Sequence, residues 1–90
     1  MSALNIHTGK RFLLEEMIID VDDRRKVGCY LLEGIDECNS VIHMQRLVVT
    51  DSEEEYRAVK GGLVLDVELL SDLKEAIDAL YLSAHSNGLL

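Results

Sequence analysis

Few residues in this chain have both the type and the spacing that chemistry requires. The three histidines, His7, His43 and His85, stand in unlike contexts, and none lies three or four residues from another metal ligand in a helical stretch. Such spacing is what brings two ligands to one face around zinc. Cys29 and Cys38 are the only cysteines and belong to no paired motif, so they read as packed thiols rather than as a disulfide or metal site. There is no nucleophile elbow and no glycine-rich phosphate loop, and Gly61-Gly62 is too short for a dinucleotide fingerprint. The run Glu53-Glu54-Glu55 could mimic phosphates or hold cations, but its commoner use is as a solvated helix start. The expectation is a non-enzymatic protein with no catalytic residues, no metal, no cofactor and no small-molecule substrate.

Charge is the more informative property. The chain of 90 residues carries a formal −8, which argues against a general binder of polyanions. The charges are unevenly placed, however. Beyond Lys60 the only base is Lys74, set against Asp66, Glu68, Asp72, Glu75 and Asp78. The other eight bases, Lys10, Arg11, Arg24, Arg25, Lys26, Arg46, Arg57 and Lys60, fall among the predicted strands. An acidic helix beside a locally basic sheet suits a sheet that meets an anion; solvated strand ends and turns give the same pattern.

The elements that would position these charges follow from periodicity. Lys60–Tyr81 reads as a glycine turn, a short extended segment and then a helix. Leu70, Leu73, Ile77, Leu80 and Tyr81 fall at helical spacing, widened by Leu69 and Ala76. Asp66 is the expected N-cap, and Asn87-Gly88 the stop. Upstream, Phe12–Val21 fits either a helix or a strand covered on both faces, with the strand preferred. Asp22–Lys26 is then a charged hairpin turn. Val27–Glu33 reads as a strand with Val27, Cys29 and Leu31 on one face and Tyr30 and Leu32 on the other. Gly34–Ser40 is a loop, and Val41–Thr50 is the clearest strand, with Arg46 its one charge. Ser52 and Glu55 have capping-box spacing, which predicts a short helix over 52–60; a long hairpin loop is the other reading.

The expected fold is therefore α+β: an antiparallel sheet of about four strands packed against a C-terminal amphipathic helix. One domain over 1–90 follows from the length, with 1–9 and 84–90 flexible. No apolar run is long enough to span a bilayer and Met1–Lys10 lacks the apolar core of a signal peptide, so the expectation is a cytoplasmic protein without a membrane partner.

The stretch K-G-G-L-V-L-D-V-E-L-L-S-D-L-K-E-A-I-D-A-L, after a series of strands, resembles the C-terminal half of the transcriptional positive cofactor four family, which binds single-stranded DNA. Lys60, Gly61, Leu63, Leu65, Leu70, Leu73, Lys74, Glu75 and Ile77 carry the likeness, and Ile42–Leu47 resembles the family's arginine-bearing strand. The chain departs from the family in lacking tryptophan and in its acidity. The resemblance implies a homodimer, made through helix and sheet, whose sheet tracks a single strand of nucleic acid. Arg46 and Lys60 match family positions. Arg24, Arg25 and Lys26 are added as phosphate contacts from charge alone, and Tyr30, with Phe12 or Tyr56, would offer stacking surface. Leu69, Leu70, Leu73, Ile77, Leu80 and Tyr81 would serve dimer and core packing. The rival expectation is an acidic protein-interaction module, a regulator or inhibitor that engages a basic protein. A purely structural subunit docking through the apolar helix face is a third.

Overall fold

The computed structural model of the protein describes residues 10–49 and 56–90. Strands β1 (Arg11–Asp20), β2 (Arg25–Gly34), β3 (Val41–Val49), β4 (Tyr56–Ala58) and β5 (Leu63–Asp66) form one antiparallel sheet, followed by a 3-10 turn, Val67–Leu69, and the helix α1 (Leu70–Ser86). The arrangement is α+β. The ambiguity over Phe12–Val21 resolves to strand: β1 runs alongside β2 from Arg11↔Gly34 to Asp20↔Lys26, with a bulge at Leu14.

β3 is the centre of the sheet. β2 lies along one side of it, while β4 and β5 share the other. β4 takes Leu47–Val49 and β5 takes Val41–Met44, so residues 59–62 lie opposite only Gln45 and Arg46. Gly61 permits this detour with a φ of 99°, a value that side-chain-bearing residues rarely adopt. At Gly62 a Cβ would stand 2.6 Å from Gln45 Oε1 and 2.9 Å from His43 Nε2. The short helix expected over 52–60 needs correction: residues 50–55 lie outside the described residues, but Tyr56–Ala58 are extended and paired to β3. The open edge of a strongly β-forming strand outweighs a local capping signal.

The sheet buries chiefly one face, although Ile42, on the other, is buried as well. Tyr30, Leu32, Val41 and Leu47 are buried on the first face, with His43 and Gln45 among them. Tyr30 lies over Gly28, which leaves it the room of a missing side chain.

The helix departs from expectation in two ways. Asp66 stands at the entry, but its side chain makes no capping hydrogen bond; it accepts one from Asn39 Nδ2 instead. Nor does α1 lie over the sheet of its own chain. None of its residues is buried, and Leu70, Ile77, Leu80 and Tyr81 keep between 45% and 69% of their surface exposed. The Val67 amide donates to Ser40 O at 3.1 Å. With the Asn39–Asp66 bond this ties the exit of β5 to the β2–β3 loop, and the helix leaves from that end of the sheet. At its far end the Asn87 side chain donates to Ser83 O at 2.8 Å and Gly88 takes a φ of 73°, so the Asn-Gly stop is as expected.

Candidate nucleic-acid interface

Strand register sorts the candidate residues by face, because directly opposed residues of antiparallel strands point the same way. On the buried face one row reads Glu16, Tyr30, His43 and Val64, and the next reads Ile18, Gly28 and Gln45. On the outer face the successive rows are Glu15–Leu31–Ile42–Leu65, Met17–Cys29–Met44–Leu63, Ile19–Val27–Arg46 and Arg25–Val48–Arg57. The outer face is therefore apolar over most of its length and basic at one end.

The basic end is built by three neighbouring strands. Arg25 of β2 and Arg57 of β4 flank Val48 of β3, and Arg46 stands one row away. All three are exposed. Arg46 also donates from its guanidinium to Lys60 O at 3.1 Å, so the detour after β4 holds the Lys60 backbone beside Arg46. A shallow cleft between Arg25 and Arg46 is floored by Val21, Val27, Val48 and Val59. Arg57 was missed as a site residue. Its signal lay in register, which no local pattern around it discloses.

The β1–β2 hairpin tip is organised by Asp22. Its Oδ1 accepts from the Arg24 and Arg25 amides at 2.9 and 2.8 Å, and Oδ2 accepts from Arg25 Nε at 2.7 Å. The Arg25 side chain, followed by the Arg24 amide, holds the Asp22 carboxyl down at about 2. A depressed carboxyl pKa stabilises the folded state above the ordinary value, and that contribution is lost as pH falls through the folded value. Carboxyl-detected NMR is accordingly expected to show Asp22 titrating near 2, with the Arg24 and Arg25 amide shifts moving at the same midpoint. A midpoint near 4 would mean that the tip is open.

One expected contact needs correction. Tyr30 is 1% exposed and sits on the face opposite the arginines, so it offers no stacking surface. By register Lys26 lies on that opposite face, where it is ion-paired with Asp20, and it also lines the cleft between Arg25 and Arg46. Phe12 is exposed on the outer face, but seven residues along β1 from Ile19, about 23 Å from the basic end. The side chain of Tyr56 lies outside the described residues.

The buried row brings Glu16, Tyr30 and His43 together in the manner of a catalytic trio. Tyr30 and His43 meet edge to face at 6.3 Å, and His43 Nε2 is 3.0 Å from Gln45 Oε1. Burial, then Glu16, push the Tyr30 hydroxyl pKa up, and the hydroxyl has no hydrogen-bond partner. Both rings are closed off from solvent, so the row is packing. Burial also pushes the Cys29 thiol pKa up. Among the described residues no cluster of His, Cys, Asp and Glu is placed to hold a metal, and no helix is long and apolar enough to cross a membrane. No protein family matches the chain, and neither does any curated protein or solved structure.

Proposed function

We propose that this is a small non-enzymatic regulatory domain that binds single-stranded nucleic acid at the basic end of its outer face and works as a homodimer. The observation that carries the reading is the convergence of Arg25, Arg46 and Arg57 from three adjacent strands, beside Lys60, on an exposed face. Guanidinium groups spaced across strands neutralise successive phosphates without reading sequence. The likeness of Lys60–Leu80 to the cofactor four family supports the same assignment. The valine-floored cleft offers apolar contact to a base, in place of the stacking expected of Tyr30.

The test is a titration of short labelled oligodeoxythymidylate against the protein at several salt concentrations. Affinity is expected to fall with salt, and the Arg46→Ala/Arg57→Ala pair to lower both the affinity and the log–log salt slope, the latter by about 1.4. Salt-independent binding, or binding unchanged in the pair, would exclude this surface.

One observation favours the acidic-module reading instead. Glu68, Asp72, Glu75 and Asp78 flank an apolar helical stripe that its own chain does not cover. Absence of oligonucleotide binding even at low salt would transfer the assignment to that helix.

A further inference from the structure

Sulfur from three strands meets in one row of the outer face. Register sets Met17 of β1 opposite Cys29 of β2, and Cys29 opposite Met44 of β3. We infer that Met17, Cys29 and Met44 together bind a single copper(I) ion, as two thioethers and one thiolate. The inference rests on these three residues and not on the nucleic-acid reading. No local motif joins them, so spacing along the chain conceals the set.

Strand pairing brings the sulfurs within reach of one another. The Val49 amide donates to Arg24 O and the Val21 amide to Arg25 O. Stepping by twos from those bonds, Met17–Cys29 is a hydrogen-bonded pair and Cys29–Met44 the closer, non-hydrogen-bonded kind. The three Cα atoms therefore span about 10 Å, with Cys29 in the middle. A metal–sulfur bond is about 2.3 Å, and the unbranched methionines on either side can lean inward over the central sulfur. The row is also open to entry, since Met17 is 61% exposed and Cys29 and Met44 are half-buried.

The donor set selects the ion. Thioether sulfur is soft and neutral, which suits copper(I) and not the hard cations that need oxygen. Zinc takes thiolate, imidazole and carboxylate, and would find only Cys29 in this row, with Glu15 in the next. The neighbouring outer rows are otherwise aliphatic, from Leu31 and Ile42 on one side to Ile19 and Val27 on the other, where Arg46 adds a positive charge. On binding, the Cys29 sulfur bonds to the metal and its proton passes to water. One thiolate on a monovalent ion leaves a neutral centre, which an aliphatic surround accepts; a divalent ion would leave a net positive charge there beside Arg46.

Anaerobic titration of the full chain with copper(I) against the chelator bathocuproine disulfonate reads the affinity, and NMR of labelled methionine methyls reads the ligands. The expected result is one ion bound and one proton released per chain, with the Met17 and Met44 methyl resonances moving together. Met17→Leu with Met44→Leu keeps the shape of the row and is expected to weaken binding about hundredfold while retaining the β-sheet signal in circular dichroism. Cys38→Ala, which removes the other thiol, is expected to bind as the parent does. Failure to compete with the chelator would overturn the inference, as would undiminished binding in the leucine pair or binding lost with Cys38. So would an equal response of the methionine methyls to zinc. Oligonucleotide binding in the same samples bears on the previous reading alone.

Discussion

Gly34→Ala is expected to lose about 3 kcal/mol of folding stability, the upper part of the range for forcing volume into a packed site. Gly34 ends β2, and a Cβ there would overlap the Cys38 carbonyl. The obstruction is backbone, so no rotamer change relieves it. The loop is also held in place. The Gly34 amide donates to Ser40 Oγ at 3.0 Å, the Cys38 amide donates to Ile35 O at 3.1 Å, and Arg11 Nε donates to Asn39 O at 2.9 Å. Asp36, inside the loop, has already taken a left-handed φ of 60°. Urea unfolding measures the cost directly. Gly88→Ala is the comparison, because nothing lies within 4 Å of its Cβ position and the φ of 73° is its one obstacle; about 1 kcal/mol is expected there. Equal effects at the two sites would mean that the β2–β3 loop yields freely.

The second large effect is expected at Gly28. An alanine there would drive its methyl into the Tyr30 ring, which has 1% of its surface exposed and cannot swing aside without opening the buried face. A loss of about 2 kcal/mol follows. Tyr30→Phe should go the other way. The hydroxyl it removes is buried and without a hydrogen-bond partner, so its deletion is expected to be neutral or to stabilise by about 1 kcal/mol. Because the two groups share one space, the double variant should be less destabilised than the two changes summed. Strict additivity in thermal and urea unfolding would show that Tyr30 does not occupy the space above Gly28.

Strands β2 and β3 and the helix were legible because each advertises its period locally. Val41–Val49 is rich in β-branched residues and alternates, and register puts its one charge, Arg46, on the face opposite His43. Alternation along Val27–Glu33 set Cys29 and Tyr30 on opposite faces. What alternation cannot supply is which face is buried. Tyr30 was placed as a stacking residue because tyrosine suits that role, and only burial shows it is packing. Arg57 became a site residue through its register opposite Val48, a fact about pairing across distant chain segments. The helix at 52–60 failed over Tyr56–Ala58 for a related reason: capping chemistry is local, whereas the vacant side of β3 is not. The stripe on α1 was also read correctly as apolar. Periodicity states that such a face wants cover, but not which chain provides it.

The detour at residues 59–62 carries a consequence for how this architecture can change. Those four positions span what two span on β3, so the C-terminal arm hangs from the sheet by two residues of spare length. Side chains alternate along a strand. Removing either Gly61 or Gly62 would therefore turn Leu63 and Leu65 to the inner side and swing the whole arm over, whereas removing both would preserve their sides and merely shorten the tether. Length variation at this point can re-aim the arm in even steps while β1, β2 and β3 keep their pairing untouched.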